Sequence, residues 1–161
     1  MATLNVSEQA KELAKEVVFE IKKQQKDKRL HNTKLLMKNY DKLKNHIEKV
    51  NSDGFKGYFG EELQDALEEN DIFLNSVLRT KARTAQMVSC IDISLEILAD
   101  EYEENGTYYI YDAFHMYYIE KITYEEIAEK LNTGKNTPAR WAKEVLNKLN
   151  ILLWGVEALG I

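Results

Sequence analysis

Cysteine, proline and histidine are nearly absent from this chain of 161 residues. A single cysteine, Cys90, excludes an internal disulfide; its neighbours Met87, Val88 and Ile91 predict a buried packing residue. A single proline, Pro138, leaves long stretches without the strongest helix breaker and, with 44% hydrophobic residues, points to an all-α protein. The three histidines, His31, His46 and His115, are scattered, and no nucleophile–base pair or metal-ligand cluster stands out, so neither an enzyme nor a cofactor or metal is expected. The glycines of Asn51–Gly60 (NSDGFKGYFG) mark a loop, but no Gly-Lys-Ser/Thr follows to make a phosphate cradle. Phe55, Tyr58 and Phe59 of that loop are expected to tuck onto the core. Apolar runs are far too short for a membrane span, and Met1–Val6 is no secretion signal, so a soluble, cytoplasmic protein is expected.

The net charge of −5 is unevenly spread. Lys11–Lys49 holds 12 basic and 6 acidic residues, Asn51–Thr107 holds 4 and 13, and Lys135–Ile161 holds 4 and 2. Low overall basicity argues against strong non-specific nucleic-acid binding, yet the C-terminal end is locally positive.

That end contains the stretch that organises the reading, TYEEIAEKLNTGKNTPARWAKEVLNKLNIL from Thr123 to Leu152. Thr123 and Glu126 form a capping-box pattern. Ile127 and Leu131 share a face of a short helix, and Ala128 is small enough for a close helix crossing. Asn132-Thr133-Gly134 breaks the helix, because Asn and Gly tolerate a left-handed turn. Pro138 belongs in the first turn of the helix that follows. At about 100° per residue, Pro138, Trp141, Val145, Leu149 and Leu152 share one face of it. Asn136, Arg140, Lys143 and Asn147 lie opposite, with no acid among them. An amphipathic helix with a solvated polar face would look the same. The capped helix and turn before it favour a helix-turn-helix, in which such amides and cations read bases and hold phosphates.

Upstream, Ser7 to about Gln25 reads as a helix with a buried stripe of Ala10, Leu13, Ala14, Val17, Val18 and Ile21. Lys22–Arg29 reads as a solvated helix end or linker, or as a DNA-backbone contact. A second helix is expected from about Asn32 to Val50 on Leu36, Tyr40, Leu43, Ile47 and Val50, with Lys34, Lys38 and Lys42 opposite. Glu61–Asp71, with six carboxylates in eleven residues, reads as a solvated acidic face. Phe73 to about Tyr102 is the longest predicted helix, with a heptad seam of Thr84, Val88, Ile91, Leu95, Leu98 and Tyr102, a second line of Ile93 and Ile97, and Arg79, Lys81 and Arg83 as a basic patch. These seams fit core packing or a homodimer. Asn105-Gly106 ends that helix, and Thr107 is a plausible cap for an aromatic one over Tyr108–Ile119, read as support for the helix-turn-helix.

The stretch YYIEKITYEEIAEKLNTGKNTPARWAKEVLNKL resembles the region 4 helix-turn-helix of bacterial sigma factors. Together with KDKRLHNTKLLMKNYDKLKNHIE and SVLRTKARTAQMVSCIDISLEIL, about Lys26 to Leu153 resembles the phage-encoded late-operon regulators of the ArpU and RinA type. The resemblance implies a DNA-binding activator of phage or prophage late genes that acts with host RNA polymerase. It places Lys135, Asn136, Thr137, Arg140 and Lys143 on the DNA-reading segment; Asn147 joins them from the polar stripe. Thr133 stands where sigma-like motifs carry an aliphatic residue, and Pro138 replaces an ordinary helix residue. The expected organisation is a helical N-terminal oligomerisation or partner-binding region over residues 1–104 and a DNA-binding domain over 105–161. Two other readings stay open: a small-terminase-like packaging protein, and a polymerase-binding module that needs a partner to bind DNA.

Overall fold

The computed structural model describes residues 2–52 and 72–159, with side chains over 8–48, 80–155 and 158–159. The expected loop aromatics Phe55, Tyr58 and Phe59 and the acidic stretch 61–71 lie outside the described residues, as do the side chains of Val50 and Arg79. The fold is all-α, with no strand among the described residues. Its helices are α1 (Ala2–Lys38), α2 (Tyr40–Ser52), α3 (Ile72–Glu104), α4 (Tyr108–Tyr118), α5 (Tyr124–Lys130) and α6 (Thr137–Trp154), followed by the 3-10 turn η1 (Gly155–Ala158).

The first helix runs straight through the expected break at Lys22–Arg29. That run is polar but contains only good helix formers apart from Asp27, and polarity alone does not end a helix. The break falls instead at Asn39. Its backbone N–H is shared between the carbonyls of Leu35 and Leu36, at 3.1 Å each, while its side-chain amide also donates to Leu35 O at 2.9 Å. An Asn side chain that competes for the backbone in this way is a recognised cause of a kink.

A second correction concerns what α1 buries. Ala10, Leu13, Ala14, Val17, Val18 and Ile21 are all exposed, not core. Among the described side chains the helix docks through its last third, where Met37 and Thr33 are fully buried and Leu30 and Leu36 pack at the margin.

The core forms around α6. Ala142, Val145 and Leu149 are fully excluded from solvent, and the helix touches α1, α3, α4, α5 and η1. Truncating a side chain such as Leu149 to alanine in this setting typically costs ~2–5 kcal/mol. The predicted seam of α3 is present: Val88, Ile91, Leu95, Leu98 and Tyr102 are buried and Thr84 is half-buried. Its second line, Ile93 and Ile97, faces solvent. Cys90 is exposed as well, because it lies off the seam that Val88 and Ile91 define. On α2, Tyr40 is buried, with Leu43 and Ile47 against the same core and Lys42 exposed; Lys34 and Lys38, expected on the same helix from about Asn32, belong to α1 and are exposed too.

Polar groups lock α1 to α6. The Thr33 hydroxyl donates to Asn150 Oδ1 at 2.8 Å and accepts from Trp154 Nε1 at 2.9 Å; Thr33 and Asn150 are both buried. Buried polar atoms without a partner are costly, and these satisfy one another.

Candidate nucleic-acid interface

The interface is built up from α4, whose composition is mostly aromatic. Tyr111, Phe114 and Tyr118 are buried, with ring centroids 6.1 Å (Tyr111–Phe114) and 4.9 Å (Phe114–Tyr118) apart. Tyr108 and Tyr109 remain exposed. The helix before it ends with Gly106 at φ +68°, and the amides of Gly106 and Thr107 donate back to Glu103 O and Tyr102 O. Thr107 occupies the expected cap position, but its side chain makes no forward capping bond and reaches back to Tyr102 O.

Two features fix the seven-residue α5. The expected capping box is formed: Glu126 N–H donates to Thr123 Oγ1 at 3.3 Å, and Thr123 N–H donates to Glu126 Oε2 at 3.0 Å. These bonds to Thr123 hold the Glu126 carboxyl below the usual carboxylate range. The second feature is apolar. Ile127 is fully buried with Ala113 and Met116 of α4, and Tyr124 stacks on Tyr117 at 3.9 Å and 7°. Burial pushes the Tyr124 phenol far above its ordinary value. Ala128 is buried too, as a close helix crossing requires.

The turn from α5 to α6 uses one left-handed residue. Asn132 takes φ +49°, and the amides of Asn132 and Thr133 donate to Glu129 O and Ala128 O. Gly134 is not in the left-handed region, so of the two residues expected to serve the turn only Asn132 does so conformationally. Pro138 lies in the first turn of α6, buried, as its sequence position requires.

Five of the six singled-out side chains reach solvent on this unit. Lys135, Asn136, Arg140, Lys143 and Asn147 are exposed, and Thr137 is half-buried. Asn136, Arg140, Lys143 and Asn147 form a continuous stripe about 16 Å long at 1.5 Å per residue. Asn136 is the N-cap residue, yet its side chain makes no capping bond and its amide faces outward. The opposite face buries Pro138, Val145 and Leu149 and half-buries Trp141, whereas Leu152 is 44% exposed and so departs from the expected apolar stripe. Leu152 lies at the edge of the buried arc and Ile151 beside it is also exposed, although Leu153 and Trp154 still pack on the core and on α1.

Sequence periodicity missed four contacts around this stripe. Lys135 Nζ lies 3.5 Å from Glu125 Oε1 of α5, so this cation already has an acidic neighbour. Glu144 accepts a hydrogen bond from the Tyr102 hydroxyl at 2.8 Å, and Lys148 lies over the Tyr102 ring with its Nζ 4.4 Å from the centroid. These contacts tie the second half of α6 to α3. Trp141 meets Tyr109 edge-on at 5.0 Å, which leaves an indole one residue from Arg140. None of these pairs carries a sequence signal, because the partners are 10 to 46 residues apart and the period of one helix says nothing of another.

Among the described residues no helix is long and apolar enough to cross a membrane, and no group of three or more His, Cys, Asp or Glu could hold a metal ion. Neither family models, nor curated proteins, nor solved structures give a match to this chain.

Proposed function

We propose that the chain is a sequence-specific double-stranded DNA-binding regulator whose α6 enters the major groove. One observation carries this reading: a capped short helix, a left-handed Asn turn and a second helix present Asn136, Arg140, Lys143 and Asn147 outward while the opposite face is anchored in the core. Arg140 and Asn136 read base edges, the arginine by its bidentate fork and the asparagine by its amide. Lys143 holds phosphate, and Lys135 joins it once it leaves Glu125. The N-terminus of α6 adds a partial positive charge toward the duplex. The sigma-like resemblance extends the proposal to activation of phage or prophage late genes with host RNA polymerase.

The three exposed carboxylates of α5, Glu125, Glu126 and Glu129, favour a second reading. They depress the positive field beside the stripe, as suits a polymerase-binding module that meets DNA only with its partner.

The test is a selection of bound fragments from sheared genomic DNA by wild type and by Arg140→Ala. Enrichment of one site by wild type, with affinity for it falling by ~1–3 kcal/mol in the variant, supports base reading. Equal enrichment by both proteins rejects the docking of α6. No enrichment by either transfers the assignment to the partner-dependent reading.

A further inference from the structure

The kink at Asn39 lies within a strongly basic part of the chain. Residues 28–44 carry six Lys and Arg and one carboxylate, a local charge of +5 in a protein of −5. Lys34, Lys38 and Lys42 follow one another at four-residue steps across the kink, about 6 Å apart along the axis. All three are exposed, and none is in an ion pair among the described residues. The opposite side of the same helices carries Thr33, Met37 and Tyr40, all buried, so the core fixes which way this line of lysines faces.

The line runs past the start of α5. Lys38 lines a cleft with Tyr117, Lys121, Ile122 and Thr123, the N-cap residue of α5. The other charges there are engaged. Lys121 pairs with Asp41 at 3.0 Å, Glu125 pairs with Lys135 at 3.5 Å, and Glu126 closes the capping box. Among the described residues of the cleft, Lys38 is thus the cation without a partner. In helix-turn-helix docking the second helix enters the major groove and the first crosses the backbone. With α6 in the groove, the strand that α5 crosses passes beside this cleft. A duplex offers a negative charge every ~1.7 Å of its axis, so lysines one helical turn apart meet phosphates in any register.

We propose that Lys34, Lys38 and Lys42 form a second phosphate-binding surface, which meets the duplex backbone beside α5 while α6 occupies the major groove. The proposal rests on the DNA-binding reading of α6 and adds to it a strand contact made by α1 and α2. It gives the N-terminal helices a part in DNA binding besides their packing on the core.

Anisotropy titrations of the full-length protein over a range of salt concentrations test this. Two labelled duplexes serve: the fragment enriched by wild type, and a scrambled sequence of equal length. The scrambled duplex alone carries the test where the selection yields no fragment. The variants are a triple Lys34→Gln, Lys38→Gln, Lys42→Gln, the same three positions changed to Arg, Arg140→Ala, and a Lys11→Gln, Lys15→Gln control on the exposed start of α1. Circular dichroism confirms that each keeps its helix content. The glutamine triple should bind both duplexes more weakly by the same factor, and flatten the slope of log affinity on log salt by up to about 2.7, the increment of three phosphate contacts. The arginine triple and the control should keep the wild-type slope. A flattened slope in the glutamine triple with Arg140→Ala indifferent upholds the phosphate surface and rejects base reading by α6. A wild-type slope in the glutamine triple overturns the proposal, and the α6 reading survives it if Arg140→Ala still relaxes the preference for the fragment. A control that flattens the slope as much as the triple overturns it too. So does an absence of wild-type binding at the lowest salt, which assigns the lysines to an acidic protein surface instead.

Discussion

Lys135 and Glu125 form an ion pair at 3.5 Å across the turn that joins α5 to α6, with both side chains more than two-thirds exposed. At that exposure the pair contributes ~0–1 kcal/mol to stability. Under the proposed function its effect falls on DNA binding, because the carboxylate offsets a cation that phosphate would otherwise meet at full charge. Glu125→Gln should tighten DNA binding and steepen the dependence of log affinity on log salt by up to about 0.9, the increment of one phosphate contact. Lys135→Ala should abolish that gain when combined with it. Anisotropy titrations of a labelled duplex over a range of salt concentrations measure both. A salt slope unchanged by Glu125→Gln would place Lys135 away from the duplex backbone.

The second prediction concerns the junction between α1 and α6. Thr33→Val keeps the shape of the side chain but removes the hydroxyl, leaving Asn150 Oδ1 and the Trp154 indole N–H without the partner they have now. A loss of roughly 1–3 kcal/mol per orphaned group follows. Urea unfolding should show this as a lower midpoint with an unchanged slope. Thr33→Val with Asn150→Leu should recover part of the loss, since removing both partners costs less than removing one.

A third prediction follows from the aromatic spine of α4. Burial pushes the phenols of Tyr111 and Tyr118 up to about 12. An unfolded tyrosine ionises near 10, so between these values the unfolded state releases its protons first. The contribution of these groups is therefore intact below about pH 10 and lost as pH climbs to about 12, on the order of 2 kcal/mol for each ring. Denaturant midpoints across that window should fall in wild type and fall less in Tyr118→Phe. A slope identical in the two proteins would mean that Tyr118 is not the group responsible.

The fourth prediction separates the two turn residues. A Cβ on Gly134 would approach nothing closer than Thr137 Oγ1 at 3.4 Å, and its backbone does not need glycine. Gly134→Ala should be neutral or stabilising by up to ~1 kcal/mol. Asn132→Val, which forces a β-branched residue to φ +49°, should cost about 1–2 kcal/mol or more. Thermal melts of the two variants rank them directly, and the reverse order would show that the turn is set by Gly134.

The C-terminal half was the more legible part of the chain. Thr123, Glu126, Pro138 and the spacing of Val145 and Leu149 act through local rules of capping, proline placement and helix period, and each stands where those rules put it. The N-terminal half misled for a related reason. Periodicity shows that Ala10 to Ile21 make a stripe, but not whether a stripe is covered within the same chain. Charge alone does not break the helix at Lys22–Arg29; the break at Asn39 comes from a side chain that competes for the backbone. Cys90 is a similar case: Val88 and Ile91 are buried, but at 100° per residue neighbours in sequence point apart. Glu125 beside Lys135, and Tyr102 beneath Lys148, depend on how helices are arranged against one another, which no local pattern encodes.

With only seven residues, α5 falls well short of the roughly 12–15 that a helix needs to persist in water without support. It exists because Ile127 sinks between α4 and α6 and because Tyr124 lies flat on Tyr117. The element that aims the start of α6 thus has no partly formed state to fall back on. Amide hydrogens of α5 should exchange only when α4 and α6 separate, and then together with theirs, so the outward presentation of the α6 stripe would be gained and lost as one cooperative event and not frayed away residue by residue.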